Sequence, residues 1–200
     1  KNYPIQISTD TDWASIACGS SSFVALKKDG SLWACGYNGT GNLGDGTITD
    51  RNYLIQIGMD NNWASVACGS SHTIAIKKDG SLWGWGCNAY GQLGDSSNKN
   101  RNIPKQIGNF YNWTSIACGD QHTVALKDNG TLWTWGSNQY GQLGDGTTRY
   151  NKYPTQIGKD NDWTYISCGY LNTHAIKKNG TLWGWGCNDN MQLGDGTNIQ

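Results

Sequence analysis

The sequence has little of what a membrane-embedded, helical or nucleic-acid-binding protein needs. Charged residues make up only 15% of the 200 residues, and 15 basic side chains balance 15 acidic ones. A net charge of zero argues against an electrostatic surface for nucleic acid or anionic membranes. The longest apolar runs have only the length of a strand, so no membrane-spanning segment is expected. Glycine interrupts every stretch that could place apolar residues at helical spacing.

The chain instead repeats one pattern every 50 residues without an insertion or a deletion. Trp13, Trp63, Trp113 and Trp163 head the copies, and the sequence periods are 1-50, 51-100, 101-150 and 151-200. A unit of this size cannot bury its own apolar face and acquires a core by stacking on its neighbours. The chain is therefore expected to be a single array whose function lies on surfaces and loops.

The second copy shows why each unit is predicted to be a four-stranded sheet. Trp63 to Cys68 alternates small or polar residues with apolar ones, as a strand does. Asp79-Gly80 separates two β-branched or aromatic runs, which predicts a hairpin with a two-residue turn and positive φ at both residues. Ile103 to Ile107, opened by Pro104, offers a fourth short strand. Four strands per unit predict an all-β fold, a β-propeller of antiparallel blades.

The unit also resembles the repeat of the regulator-of-chromosome-condensation family. The resemblance rests on Val66-Ala67-Cys68-Gly69-x-x-His72-Thr73-Ile74-Ala75-Ile76-Lys77-x-Asp79-Gly80-x-Leu82-Trp83-x-Trp85-Gly86-x-Asn88-x-Tyr90-Gly91-Gln92-Leu93-Gly94, and it covers the whole chain. It implies a β-propeller with four-stranded blades, in a family whose members usually close with seven. The family's functions range from nucleotide exchange on a small GTPase to inhibition of a secreted β-lactamase, so the resemblance implies a fold rather than a function.

When the last residues of the sequence are placed before the first ones, the repeat pattern continues without a break. Residues 196-200 joined on paper to Lys1-Asn2-Tyr3-Pro4-Ile5-Gln6-Ile7 match the pattern of residues 46-57. Either a longer repeat protein is cut at a repeat boundary, or Lys1 to Ile7 supplies the outer strand of another chain's incomplete last blade. The second alternative predicts a head-to-tail homodimer that completes an eight-bladed ring.

The seven cysteines predict packing rather than a metal or a cofactor. Cys18, Cys68, Cys118 and Cys168 occupy one equivalent position before glycine, which suits a small residue in the strand nearest the axis. Metal sites built from cysteine usually bring two ligands per loop at short spacing, and the sequence contains no C-x-x-C. An odd total favours a reducing compartment, whereas the family resemblance also allows secretion, so localisation stays open.

His72 and His122 are equivalent and precede the hairpin, in a turn where blade loops should converge. Each either hydrogen-bonds the backbone of the adjoining blade or reaches a partner. Ser70 and Ser71 beside His72 do not make a catalytic triad, because adjacency in sequence does not create its geometry, and the protein is predicted not to be an enzyme.

Two further repeated groups are expected to be structural. One aspartate per copy, as in Asp45, is too few for calcium and instead predicts an Asx-type turn that starts the crossing to the next blade. Paired lysines such as Lys77-Lys78 suggest solvated turn residues beside each hairpin.

Where the copies differ, a partner could be recognised, and tyrosines concentrate in these segments. The candidate partner-binding residues are Tyr37, His72, Tyr90, His122, Tyr140, Tyr150 and Tyr170. The predicted function is a non-catalytic scaffold that presents blade loops on one propeller face to a protein partner. One alternative is guanine-nucleotide exchange on a small GTPase, for which the four copies contain no inserted wedge. Another is glycan binding through tryptophan or tyrosine, although the tryptophans are expected to be buried.

Overall fold

The computed structural model describes residues 1–199, which form fifteen strands in four antiparallel sheets. Each sheet takes its strands in sequence order and is called a blade. Blade 1 comprises β1 (Trp13–Cys18), β2 (Ser22–Lys27), β3 (Leu32–Gly36) and β4 (Arg51–Gln56). Blade 2 comprises β5 (Trp63–Cys68), β6 (His72–Lys77), β7 (Leu82–Gly86) and β8 (Arg101–Gln106). Blade 3 comprises β9 (Trp113–Cys118), β10 (His122–Lys127), β11 (Leu132–Gly136) and β12 (Asn151–Gln156). Blade 4 comprises, among the described residues, β13 (Trp163–Cys168), β14 (Asn172–Lys177) and β15 (Leu182–Gly186).

The predicted hairpin is present in every blade, but its turn is longer than two residues. In blade 2 the strands end at Lys77 and resume at Leu82, and among the turn residues only Gly80 has a positive φ. The Asp79 carboxylate accepts hydrogen bonds from the amide and the hydroxyl of Ser81, at 2.9 and 2.6 Å. The two-residue turn was therefore a wrong prediction, because the aspartate closes an Asx-type turn instead of adopting positive φ.

The fourth strand also lies where it was expected, with shifted ends. It runs over Arg101–Gln106 rather than residues 103-107, and Gln106 pairs with Trp83 of β7. The amide of Ile107 then donates to the carbonyl of Leu82 at 2.8 Å. This hydrogen bond holds Ile107 beside the start of β7. In blades 1 to 3 the outer strand is thus followed by an isoleucine that packs in or against a core cluster, Ile57, Ile107 or Ile157.

The apolar core lies between blades, as expected for an array. One cluster joins Ile74, Leu82 and Ile107 of blade 2 to Trp113 and Trp135 of blade 3, all of them at most 3% exposed. Equivalent clusters join blade 1 to blade 2 and blade 3 to blade 4. Burial of apolar side chains from two blades in one cluster makes each blade dependent on its neighbour for stability.

The outward faces of the first and last blades expose the side chains that interior blades bury. Ile16 is 68% exposed, whereas its equivalent Ile166 is 6% exposed against blade 3. Leu182 is 70% exposed, whereas Leu82 is fully buried. Trp183, on the opposite side of β15 from Leu182 and facing blade 3, is 49% exposed, so the expectation that the tryptophans are buried was wrong for this residue. The two end faces are therefore apolar and exposed.

The innermost strands of neighbouring blades contact one another and surround a shared recess of about 270 Å³. Strand direction then defines two opposite faces. The loop face carries the turns at 19-21, 69-71, 119-121 and 169-171 together with the crossings at 37-50, 87-100, 137-150 and 187-199. The hairpin face carries the turns at 28-31, 78-81, 128-131 and 178-181. In residues 1–199 no helix is long and apolar enough to cross a membrane.

Candidate protein-interaction face

The five tyrosines singled out from the sequence all lie on the loop face, because each follows the end of a strand that points there. Tyr37 and Tyr90 are each 44% exposed, Tyr150 is 56% exposed and Tyr170 is 67% exposed, while Tyr140 is half-buried. Tyrosine supplies contact area at low cost in side-chain entropy, so such a group is suited to binding.

A buried asparagine in each crossing fixes the backbone segments that carry Tyr37, Tyr90, Tyr140 and Tyr150. In blade 2 the side-chain amide of Asn88 donates to Asp95 and to the carbonyls of Ser97 and Lys99, at 2.9 to 3.2 Å. Its side-chain oxygen accepts from the Leu93 amide at 3.0 Å. This position is asparagine in all four copies, at 38, 88, 138 and 188, although the residues around it differ between copies.

The predicted Asx-type turn is confirmed, but it lies in the crossing that joins β3 to β4 of the same blade, not on the way to the next blade. In blade 1 the Asp45 carboxylate accepts from the amide and hydroxyl of Thr47, at 2.9 and 2.7 Å, and forms an ion pair with Arg51 at the start of β4. Burial acts to raise the pKa of Asp45, but the hydrogen bonds from Thr47 and Arg51 outweigh it and hold that pKa below its usual value. The crossing is therefore tied at both ends.

Two cavities open between blades on this face. Tyr90 of blade 2 and Tyr150 of blade 3 line a cavity of about 170 Å³ together with Asn138 and Gln139. A larger cavity of about 490 Å³ lies between blades 3 and 4. Its lining residues are Tyr140, Gly169, Tyr170, Leu171, Asn172, Cys187, Asp189, Asn190 and Gln192. The structure thus brings Tyr90 and Tyr150 together in one cavity, and Tyr140 and Tyr170 in the other.

Acidic groups stand beside the second cavity. The Asp120 amide donates to the Tyr170 carbonyl at 2.9 Å, and the negative charge of Asp120 with its hydrogen bond raises the pKa of Tyr170. Asp189 follows Cys187, whose thiol lies 3.6 Å from the Asp189 carboxylate.

His72 and His122 lie beneath the loop face and link neighbouring blades. They are 1% and 0% exposed, and the Nε2 atom of each lies 3.1 or 3.0 Å from the hydroxyl of Thr123 or Thr173 in the next blade. The Thr123 hydroxyl donates its proton to the carbonyl of Gln92 at 2.8 Å. Nε2 of His72 must therefore be protonated and donate to the Thr123 oxygen. Nδ1 of both histidines is buried without a hydrogen-bond partner. The two histidines therefore form part of the blade interface and are left out of the binding surface.

The equivalent cysteines lie along the axis. Cys18, Cys68, Cys118 and Cys168 all line the central recess, and burial raises the pKa of Cys68 and Cys168 to about 12. Such thiols stay protonated and unreactive at neutral pH. All seven cysteines are free, and residues 1–199 contain no group of three or more histidine, cysteine, aspartate or glutamate side chains that could hold a metal ion.

The hairpin face differs from expectation, because the first lysine of each pair is not solvated. Lys77 is 8% exposed, its ammonium lies 4.1 Å from the centre of the Trp83 ring, and it forms a 2.7 Å ion pair with Asp60. Stacking on an aromatic ring with a countercharge nearby stabilises the buried ammonium. The first lysine of each pair is thus structural, while the second, as in Lys78, is exposed as predicted.

Comparisons with known proteins agree with this architecture. A family model described as an RCC1-like domain matches residues 1–200. A search of curated proteins finds no significant match. Human WBSCR16 is 26% identical, with a TM-score of 0.86 over 96% of this chain and 52% of its own. Yeast RCC1 (Prp20), solved with Kap60, is 21% identical, with a TM-score of 0.84 over 96% of this chain and 48% of its own.

The fold and the comparisons define a β-propeller array of four-stranded blades. Within that class the chain belongs to the family of RCC1-like domains, whose model spans its whole length. It spans about half the length of the solved structures that it matches.

Proposed function

We propose that this chain is a non-catalytic scaffold that binds a protein partner through the loop face. The observation that carries the proposal is the position of Tyr90, Tyr150 and Tyr170, which are exposed on one face and line cavities between rigidly tied crossings. Aromatic side chains beside cavities are typical anchors of protein interfaces. Asp120 and Asp189 at the second cavity favour a partner that contributes basic side chains.

A matched pair of triple variants tests this proposal. Tyr90, Tyr150 and Tyr170 are changed to serine in one protein, and Tyr53, Tyr111 and Tyr153 in the other. These control tyrosines lie outside the loop face and are 54% to 62% exposed. The loop-face variant is expected to bind its partner about tenfold more weakly or worse, because it loses interface anchors, while the control keeps its affinity.

Partner affinity is measured on proteins captured from a source lysate, with circular dichroism as the check on folding. Equal loss in both variants, or loss only in the control, would overturn the proposal. The same proteins are assayed for nucleotide release from small GTPases and for tryptophan quenching by saccharides. Activity in either assay that survives the loop-face substitutions would favour exchange or glycan binding instead.

We further propose that two copies of this chain pair head to tail into an eight-bladed ring. The support is the pair of exposed end faces, with Ile16 on blade 1 and Leu182 on blade 4. Interior blades pack the equivalents of these side chains against one another. The two end faces therefore carry the same kinds of apolar side chain as the two sides of an interior blade contact. Light scattering across a dilution series tests the pairing, and a mass of 21.8 kDa at every concentration would overturn it.

A further inference from the structure

One buried lysine on the hairpin face has surroundings that differ from those of its three equivalents. Lys27, Lys77, Lys127 and Lys177 end the second strand of their blades, and the ammonium of each lies over tryptophan rings. Lys127 is 6% exposed and belongs to blade 3. Blade 3 has a neighbouring blade on each side within the chain, so the surroundings of Lys127 do not depend on where the sequence begins or ends.

In the other three blades a carboxylate neutralises this ammonium. The distances between ammonium and carboxylate are 2.8 Å for Lys27 and Asp10, 2.7 Å for Lys77 and Asp60, and 2.5 Å for Lys177 and Asp160. The three aspartates occupy one equivalent position in the segments that lead into the first strand of each blade. At this position the fold thus supplies the lysine with a charged hydrogen-bond acceptor.

Blade 3 has Phe110 at the aspartate position. The centre of its ring lies 3.8 Å from the Lys127 ammonium, and the ring centres of Trp113 and Trp133 lie 4.8 and 4.0 Å away. Within the part of the chain that the structure describes, no carboxylate forms an ion pair with Lys127. Three rings therefore hold the ammonium, and they attract a cation without offering a lone pair to its N–H groups.

The ammonium at this position can serve more than one acceptor. Lys27 also pairs with Asp12 at 3.1 Å, and Lys177 also pairs with Asp162 at 3.3 Å. In blade 3 the equivalent residue is Asn112, whose side chain donates to the Asp128 carboxylate at 3.2 Å instead. Both acceptor positions around Lys127 thus lack a carboxylate from the chain itself.

Asp128 affects Lys127 only through its charge. Burial lowers the pKa of Lys127, and the charge of Asp128 opposes this shift without cancelling it. In blade 1, by contrast, the hydrogen bond from Lys27 to Asp10 outweighs burial and raises the pKa of Lys27. A buried ammonium that lacks a paired carboxylate is stabilised by any anion that reaches it.

We propose that the hairpin face at Lys127 binds an acidic segment of a protein partner, with one carboxylate on the ammonium where the other blades place their own aspartate. A carboxylate is favoured over a phosphate because three copies of the same lysine already bind one. Phe110 is 53% exposed and adds an aromatic surface for the aliphatic part of the segment. The neighbouring Tyr111 lies towards the outer strand, where its hydroxyl accepts from the Gln106 side chain at 3.4 Å. This surface is opposite the loop face and independent of the partner proposed there.

A capped, fluorescently labelled peptide of six glutamates is the probe, and a peptide of six glutamines is its control. Phe110→Asp gives blade 3 the aspartate of the other blades and is expected to weaken binding of the glutamate peptide about tenfold or more, because the internal carboxylate competes for Lys127. Asn109→Asp is the matched variant, since it adds the same charge at the preceding exposed residue. It is expected to weaken binding by no more than about twofold. Fluorescence anisotropy measures both affinities.

The reciprocal exchange moves the site to blade 2. Asp60→Phe, made in the Phe110→Asp protein, removes the partner of Lys77 and returns the net charge to that of the unsubstituted chain. Binding of the glutamate peptide is expected to return. Asp128→Lys, made alone, introduces the residue that the other three copies carry and is expected to strengthen binding.

Circular dichroism confirms that each variant is folded before its affinity is compared. Unchanged affinity in Phe110→Asp, or an equal loss in Phe110→Asp and Asn109→Asp, would overturn the assignment to Lys127. Failure of the Asp60→Phe exchange to restore binding would show that an unpaired lysine among aromatic rings does not make the site. Tighter binding of inorganic phosphate than of the glutamate peptide would assign the site to phosphate groups and contradict the proposed partner.

Discussion

Lowering the pH from 7 to 5 is expected to reduce the free energy of unfolding by about 4 kcal/mol, or about 2 kcal/mol for each buried histidine. Burial lowers the pKa of His72 to about 3, with a contribution from the charge of His122, and burial lowers the pKa of His122 to about 4. In the unfolded chain both groups titrate near the ordinary value of about 6.5.

The sign follows from the difference in bound protons. Between pH 6.5 and about 4 the unfolded chain binds protons that folded His72 and His122 exclude, so stability is full above pH 6.5 and falls as the pH decreases. The cause is local, because a proton on Nδ1 would place a charge on an atom that is buried without a hydrogen-bond partner. Aspartates with hydrogen-bond partners, such as Asp45, have lowered pKa values. Their protonation therefore changes the stability only at lower pH, near and below 3.8.

The control for this prediction is present in the chain itself. Asn172 occupies the histidine position in blade 4 and is 7% exposed, so asparagine fits the site without titrating. Urea unfolding of the double variant His72→Asn, His122→Asn is expected to show a nearly flat stability between pH 7 and 5. His174 is present in both proteins and cancels from the comparison. An unchanged slope in the double variant would show that other groups carry the pH dependence.

Gly80→Ala is expected to destabilise the fold by about 2 to 4 kcal/mol. Gly80 has a φ of 79°, and a Cβ there would lie 2.1 Å from the carbonyl oxygen of Tyr111, in the segment that leads into blade 3. An alanine with positive φ costs about 1 kcal/mol, and overlap with backbone adds about 1 to 3 kcal/mol because the neighbouring segment must move. That segment also bonds the turn, since the Trp113 amide donates to the Gly80 carbonyl at 3.2 Å.

Gly180→Ala separates the two contributions. Gly180 has the same place in the hairpin turn of blade 4 and a φ of 85°, but a Cβ there would meet nothing within 4 Å. Its expected cost is the conformational part alone, about 1 kcal/mol. Both variants are compared by urea unfolding at a concentration where the chain is monomeric. Equal destabilisation of the two proteins would mean that the blade-to-blade contact at Tyr111 contributes little.

The repeat made most of the fold predictable. The 50-residue period, the Asp79-Gly80 hairpin and the run from Trp63 to Cys68 located the blades and their strands, because turn chemistry and alternation are local properties. The length of the hairpin turn was missed, since the hydrogen bonds from Ser81 to Asp79 decide it and the pair of residues alone does not. Lys77 was assigned to solvent because a single strand pattern does not show that two tryptophan rings lie beside its ammonium.

The candidate site was predictable only in part. The tyrosines were located on one face, because the ends of strands determine where their loops go. The burial of His72 and His122 depends on contacts with Thr123 and Thr173, each about fifty residues further along the chain. The structural role of Asn88 could have been recognised from its identity in all four copies, since an invariant polar residue inside a variable loop indicates an internal hydrogen-bond network.

The most direct test of the central claim places a photoreactive amino acid at position 150 of the loop face, or at position 53 of the outer strand. Tyr150 and Tyr53 have similar exposure, 56% and 62%, so random collision labels both equally. Binding through the loop face predicts a cross-linked protein partner from position 150 and none from position 53. A partner cross-linked from position 53 alone would place the interaction on the outer rim and contradict the proposed function.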